Sequence, residues 1–418
     1  MAGADVKEFT VFGLKMWQQV VICLLLGVIT GFVLKEQAAP FKVLGTIFID
    51  LIKMVVVPLI FLALTSGITS MAGSANFKRV GLKGVAAYLA TALFAVVIGL
   101  VAGVLFHPGM GLHINAEEFA SGTGVASAQL PPMNVQDFLI SLISPNIFKS
   151  FAEANLLQVI VFAVIFGLTV NSMGSKAARV RESLHDFALV IFRMIEYIVR
   201  LAPLAVFGYM AWTVGTQGVE ILKVLATLVA AVITACAVQY VLYGVMIAVF
   251  ARLNPFIFFR KLVTTQVMAF STSSSKATLT TAMREVETKL GVSAQISQFM
   301  LPLGAAVNMS GTAIYLGICA LFFAQFFEHS LDMADYAMLL VTCTLGSIGA
   351  AGIPSGSIIF MGMVLQSVGL PIGSIGLILG VDRILDMVRT MINITGDCAI
   401  TLIIDASEDT LDRKVYHA

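Results

Sequence analysis

Gly346-Ser347-Ile348-Gly349-Ala350-Ala351-Gly352-Ile353-Pro354-Ser355-Gly356-Ser357 is the run on which the fold turns. It lies inside Tyr336–Val381, 46 residues without a charge. One straight helix of that length would be about 70 Å long at about 1.5 Å per residue, against a bilayer core of about 30 Å. The chain must fold back, and Gly and Pro break helices. Broken backbone at membrane depth is tolerated only where protein or a wet cavity satisfies its polar groups.

A similar break lies upstream. The uncharged run Leu262–Ser275 ends in Ser271-Thr272-Ser273-Ser274-Ser275. It is too short to cross a bilayer and reads as a second re-entrant hairpin, entering from the opposite side. Gly291–Phe327, 37 residues without a charge, follows it. Asn308-Met309-Ser310-Gly311-Thr312 interrupts that run after Gly304, where Gly and Asn permit local unwinding. The C-terminal half thus holds two arrangements of broken hairpin followed by helix, Leu262–Phe327 and Tyr336–Ile404. Paired interrupted segments point to a transporter with inverted repeats and a midplane site.

The rest of the chain agrees with a membrane solvent. Of 418 residues, 59% are hydrophobic and 12% charged, and mean hydropathy is +0.96. A soluble domain carries about 25% charged residues, so an ordinary soluble enzyme is excluded. Net charge +1 leaves no basic field for nucleic acid. Further spans are expected at Val20–Leu34, Lys53–Ser70, Gly84–Phe106, Asn155–Ser175, Leu201–Val219 and Val224–Ala251. The first run reads as a span, with no convincing cleavage site after it. Cys23, Cys236, Cys319, Cys343 and Cys398 lack metal or disulfide spacing. Lys78, Arg79 and Lys83, then Lys176, Arg179 and Arg181, then Arg252, Arg260 and Lys261 mark cytoplasmic loops. Glu117, Glu118 and Asp137, and later Glu328, Asp332 and Asp335, mark outer ones, while Lys35 and Lys42 run against the trend. With eight spans and two hairpins, both termini would face the cytoplasm.

The chemistry concentrates in Asp382-Arg383-Ile384-Leu385-Asp386-Met387-Val388-Arg389-Thr390-Met391-Ile392-Asn393-Ile394-Thr395-Gly396-Asp397. Asp382, Asp386, Arg389, Asn393 and Asp397 are spaced 4, 3, 4 and 4, one continuous helix face. A charge at the bilayer centre costs about 2.5–3.5 kcal/mol on insertion scales, so this row needs partners or a task. Arg389 offers a planar fork for a carboxylate. Asp386, one turn earlier, suits an ammonium group. Together they fit an acidic amino acid. Asp397 and Asn393 offer hard oxygens for a small cation such as Na⁺. An interhelical ion-pair network is the structural alternative. Ser274 and Ser275 at the hairpin tip suit a substrate carboxylate, or else simply satisfy the broken backbone.

The Ser-rich tip, NMSGT, the AGIPSG tip and DRILDMVRTMINITGD together resemble the dicarboxylate/amino acid:cation symporter family, the glutamate transporters, and most closely its acidic amino acid branch. The resemblance implies an all-α polytopic membrane protein with eight transmembrane helices, two re-entrant hairpins and inverted repeats. It implies a homotrimer in the cell (inner) membrane that works as an elevator. Residues 1–80 and 111–215 would be scaffold, 81–110 and 216–404 the mobile transport part, and 405–418 a cytoplasmic tail. The function implied is symport of L-aspartate or L-glutamate with Na⁺, with H⁺ as a further candidate ion, no other cofactor and no enzymatic step. A C4-dicarboxylate symporter of the same family is the alternative; it needs no ammonium partner, so Asp386 counts against it.

Carried over by position, substrate contacts would be Ser273, Ser274, Ser275, Thr312, the gate with Ile353, Pro354 and Ser357, and Asp386, Arg389, Thr390 and Asn393. One sodium site would use Gly304, Asn308, Asn393 and Asp397. A second would use carbonyls of Ser347, Ile348 and Ala350 near Met309. A third would involve Tyr88, Thr91 and Ser310, but Ser310 replaces the family's aspartate and Ala92 a hydroxyl residue. A third sodium is therefore expected not to bind in the usual way. Lys276, where a small or acidic residue is common, is expected to pair with an acidic group or snorkel to the cytoplasmic face.

Two other classes fare worse. A hydrolase built on the Ser-rich tip would usually need a His base, and His107, His113, His185, His329 and His417 are all expected in loops or ends. A passive channel fits closed hairpins poorly.

Overall fold

The computed structural model describes residues 16–70, 78–110, 143–350 and 356–418, with 14 and 140 besides. The described chain is all-helical. Helix α1 is Met16–Leu34 and α2 is Lys42–Ser70. Helix α3 is Lys78–Phe106, followed by the short α4, Ile147–Ala152. Helices α5, α6 and α7 are Leu156–Ser172, Ala178–Val199 and Ala202–Gln217. Helix α8 runs Glu220–Met246 and ends in a π turn at Ile247–Ala251.

Among the described residues, five stretches are long and apolar enough to cross a membrane: Gln18–Ser66, Arg79–Phe106, Glu220–Ala251, Ala294–Phe326 and Ile372–Ser407. Lys42–Ser70 is one continuous helix, so the second span begins well before the expected Lys53. Asn155 caps α5 through its side chain, accepting from the Gln158 amide, and so fixes the start where the sequence places it. Lys176, Arg179 and Arg181 do not sit in an open loop. Lys176 is in a 3-10 turn and both arginines are on the amphipathic α6. His185 is also on α6, not in a loop, and its Nδ1 lies 3.4 Å from Ser66 Oγ.

The first expected break is a hairpin of two short helices. Helix α9 is Pro255–Lys261, α10 is Val263–Thr272 and α11 is Ser275–Thr288. The turn is Ser273-Ser274. Ser273 takes a left-handed conformation, φ +51°, and Ser274 then caps α11 by accepting from the Ala277 amide. The second break separates α14, Met333–Gly349, from α15, Gly356–Ser367. Helix α14 opens with a capping box between Asp332 and Asp335. Ile353 and Pro354 of the expected gate lie outside the described residues, as do His113, Glu117, Glu118 and Asp137.

Between the hairpins, α12 (Ala294–Val307) and α13 (Ser310–Phe326) are parted at Asn308-Met309, where the backbone is extended. This is the unwinding the NMSGT run predicts. Helix α13 is buried on nearly every side, the position its all-round apolarity demands. Helix α16, Leu379–Ser407, is unbroken, so it does not repeat the α12–α13 break. A short α17, Arg413–His417, closes the chain. Helices α1, α2, α5, α6 and α7 pack on one another, while α3, α8 and α10 to α16 pack around α13 and α16.

Candidate functional site

The first hairpin turn, the helix ends flanking the second break and the polar face of α16 meet at one cleft. Its wall is made by Ser273, Ser274 and Ser275 of the first tip, and by Ala350, Gly356 and Ser357 beside the second. Met309 and Thr312 contribute from the unwound segment, and Asp386, Thr390 and Asn393 from α16. Ten of these eleven residues were expected from sequence as substrate or ion contacts; Gly356, which carries no polar side chain, is the addition.

The unwinding is what positions Asn393. The Gly311 amide, free at the start of α13, donates to Asn393 Oδ1 at 2.8 Å. Asn393 Nδ2 lies 3.1 Å from Met309 Sδ. At the first tip, Ser273 Oγ is buried with no hydrogen-bond partner, an open group facing the place a guest would take.

Arg389 is placed differently from expectation. Its guanidinium does not line the cleft. It is fully buried behind the wall, with Nη2 2.9 Å from Asp382 Oδ1 and 3.2 Å from Asp386 Oδ1. Its Cζ stands 3.9 Å over the Tyr315 ring. Asp386 also receives Arg383 Nη1 at 3.3 Å. Two carboxylates and two guanidiniums thus balance each other, the ion-pair network that was the structural alternative. The balance is incomplete, because Arg389 Nε and Nη1 have no partner. Three donors of a buried guanidinium remain available to a carboxylate. Sequence spacing placed Asp382 on the stripe but gave it no role, and Tyr315 carried no signal.

Deeper along α16 lies Asp397, fully buried. Its Oδ1 accepts from Asn308 Nδ2 at 2.8 Å, while Oδ2 has no partner. A Cβ on Gly304 would stand 2.6 Å from Asp397 Oδ1 and 2.8 Å from Tyr88 Oη, so only glycine leaves this corner open. A half-satisfied carboxylate in an apolar bilayer calls for a positive partner. The hard oxygens of Asp397, Asn308 and Tyr88 suit a small monovalent cation. Asn393, expected in the same sodium site, lines the cleft.

The remaining sodium candidates diverge. Ala350 and Met309 both line the cleft, and Ser347 is buried with its Oγ donating to the Thr344 carbonyl at 2.8 Å; Ile348 is half-buried beside it. Tyr88 Oη donates to the Met300 carbonyl at 3.0 Å, and Thr91 Oγ1 to Tyr88 O at 2.9 Å. Ser310 Oγ donates to Asn308 Oδ1 at 3.0 Å. Thr91 and Ser310 therefore spend their hydroxyls locally. Lys276 finds no acidic partner among the described residues; its Nζ stands 4.1 Å over the Phe192 ring of α6.

The family model described as the sodium:dicarboxylate symporter family matches residues 16–407. A protein named C4-dicarboxylate transport protein 1, from Ralstonia nicotianae, is 33% identical over 403 residues, 95% of this chain and 93% of its own length. The C4-dicarboxylate transport protein of Serratia proteamaculans is 34% identical over 418 residues, 98% of this chain and 96% of its own. That of Anaeromyxobacter sp. is 32% identical over 405 residues, 96% and 91% respectively. On that length of match, this chain belongs to the sodium:dicarboxylate symporter family and is a membrane transporter, not an enzyme.

Proposed function

We propose that this protein carries C4-dicarboxylates across a membrane together with Na⁺. The relatives' names support the cargo class, and the family's description supports the ion. The single observation that carries the site is the cleft where the Ser273–Ser275 turn and the ends of α14 and α15 meet α16, with Arg389 half-paired directly behind it. One cargo carboxylate meets the unpartnered Ser273 hydroxyl and the hydroxyls of Ser274 and Ser275. The other meets Thr312, Thr390 and Asn393 and draws Arg389 forward from Asp382. The gate around Ile353, Pro354 and Ser357 closes over it. Na⁺ binds at Asp397 and Asn308, opened by Gly304, and a second ion sits near Met309, Ser347, Ile348 and Ala350. A dianion brings two negative charges into a low-dielectric site, so at least two cations accompany it.

A second reading is L-aspartate, itself a four-carbon dicarboxylate bearing an amine. The Asp386 carboxylate on the cleft wall favours it, since an ammonium would meet an anion there. The relatives' names weigh the other way, and the first reading stands ahead of it.

For the architecture, we read eight spans, two re-entrant hairpins related as inverted repeats, and a trimer in the bacterial inner membrane. The two packing groups support a division into scaffold (1–80, 111–215) and transport part (81–110, 216–404) that slides as an elevator. Neutral hydroxyls at Tyr88, Thr91 and Ser310 support the absence of a third sodium of the usual kind, with either a lower ion count or H⁺ taking part.

The test is uptake into proteoliposomes of labelled succinate, fumarate, malate and aspartate, with Na⁺ and pH gradients imposed separately. Na⁺-driven succinate or fumarate uptake is the expected result. Aspartate uptake alone would decide for the second reading, and uptake indifferent to Na⁺ would overturn the coupling.

A further inference from the structure

Helix α8 carries two polar side chains that the site described above does not use. Gln239 and Tyr243 are one turn apart on its buried face, and neither is exposed. Gln239 Nε2, Gln239 Oε1 and Tyr243 Oη all lack a hydrogen-bond partner. Each such group costs about 1–3 kcal/mol in a dry interior. An orphan of this kind needs an account.

Their surroundings supply it. The Ser310 and Gln239 side chains lie beside the Tyr243 hydroxyl. That hydroxyl packs on Gly396, where a methyl would collide with it and would stand 2.9 Å from Asn308 Nδ2. So Gln239, Tyr243, Ser310, Asn308 and Asp397 form one contiguous polar row crossing from α8 to α16. At present its hydrogen bonds run from Ser310 Oγ to Asn308 Oδ1, and from Asn308 Nδ2 to Asp397 Oδ1. The Asn308 amide group therefore stands where a cation at Asp397 needs an oxygen.

We propose that Gln239 and Tyr243 are positioning residues for the cation, receiving a reversed hydrogen-bond chain when the ion binds. This deepens the reading of Asp397 and Asn308 as cation ligands and rests on it. On ion binding the Asn308 amide turns over, so that Oδ1 faces the ion and Nδ2 faces Ser310. Ser310 then accepts where it formerly donated. Its proton passes no further than its own rotation, toward Tyr243 Oη. The Tyr243 hydroxyl in turn donates to Gln239 Oε1. Donors and acceptors match along the whole row, and two of the three orphaned atoms on α8 are satisfied. Both residues thus stabilise the ion-bound state and are left wanting in the empty one. A serine at position 310 fits this role because a hydroxyl can either donate or accept.

The experiment is thermal unfolding of the purified protein in detergent, titrated with NaCl against choline chloride at constant ionic strength and without organic substrate. Tyr243→Phe and Gln239→Met are the variants, with Asp397→Asn as the control for the ion site. Loss of one hydrogen bond from the bound state raises the Na⁺ midpoint about three- to tenfold in each. Without Na⁺, both variants melt at or above the wild-type temperature, since an unpaired polar atom is gone. A merely structural role would lower it. At saturating Na⁺, the KM for substrate uptake stays near wild type. If both variants keep the wild-type Na⁺ midpoint while Asp397→Asn loses the Na⁺ response, the inference is overturned and the ion site survives. If the wild type itself shows no response to Na⁺ beyond choline, the ion site falls and the inference with it.

Discussion

Arg389 Nη2 reaches back seven residues along its own helix to Asp382 Oδ1, 2.9 Å away. Both groups are fully buried, with side-chain exposures of 1% and 2%. The pair holds the Arg389 guanidinium on the far side of the cleft wall. Breaking a buried pair by removing one partner costs about 3–5 kcal/mol, because the other charge is left unmatched. Asp386 still touches Arg389 at 3.2 Å, so Asp382→Asn falls at the low end of that range. The empty variant is expected to melt several degrees below wild type. Saturating substrate should close most of that gap, since a cargo carboxylate replaces the lost partner. An equal deficit with and without substrate would refute the exchange.

Arg389→Lys tests the planar fork itself. A lysine keeps the charge but offers a point donor in place of two parallel ones. Charge-assisted hydrogen bonds contribute about 1.5–3 kcal/mol, so kcat/KM for dicarboxylate uptake should drop by roughly ten- to a hundredfold or more. Uptake at the wild-type rate would mean that the guanidinium stays with Asp382 and Asp386 throughout.

Asp386→Asn separates the two cargo readings. Its carboxylate lies on the cleft wall and is shared by Arg383 and Arg389. For a plain dicarboxylate, removing this negative charge leaves uptake unchanged or improved and frees Arg389 further. For aspartate, it removes the ammonium's partner and uptake should drop about tenfold or more. Parallel uptake of succinate and aspartate by wild type and variant reads the difference directly.

How much of this was legible follows from what spacing can encode. Ser273-Ser274 and the Gly346–Ser357 run announced both helix breaks, because Ser, Gly and Pro interrupt apolar helix for reasons of backbone chemistry alone. The 4-3-4-4 row announced one face of α16, and Asp386, Thr390 and Asn393 do reach the cleft from it. Spacing does not say which way a long side chain turns. Arg389 is on the expected face yet its end group lies over Tyr315, a residue 74 positions away with no periodic signal. Gln239 and Tyr243 look like stray polar residues in an apolar helix until their missing partners are seen. Cargo identity was the hardest: Asp386 taken alone suggests an amine, whereas its two arginine neighbours already neutralise it.

The C-terminal end of α16 offers a pH test outside the apolar spans. Glu408, just past α16, pairs with Lys83 at 2.6 Å and with Arg79, both at the start of α3. Hydrogen bonds from Lys83 and Arg79 hold its carboxyl below the ordinary range. A lowered carboxyl favours the folded arrangement above the unfolded value of about 4.3, and loses that advantage as pH falls through the lower folded value. Amide exchange at the α16 terminus should therefore be faster in Glu408→Gln than in wild type at neutral pH. The difference should shrink with added salt and disappear as pH falls through the lowered folded value. A constant difference across that range would show that the carboxylate's charge is irrelevant to the tie.

Gly304→Ala probes the cation corner with the smallest change. The added methyl would stand 2.6 Å from Asp397 Oδ1 and 2.8 Å from Tyr88 Oη. Neither neighbour can withdraw easily, because Asp397 is held by Asn308 and Tyr88 by the Met300 carbonyl. Alanine is also the better helix former by about 1 kcal/mol, which offsets part of the crowding. The variant should therefore still fold and insert, yet lose the space beside the carboxylate. Na⁺-driven uptake is expected to fall steeply, while substrate exchange at very high Na⁺ recovers in part. Wild-type Na⁺ dependence in Gly304→Ala would mean that the ion sits elsewhere than at Asp397.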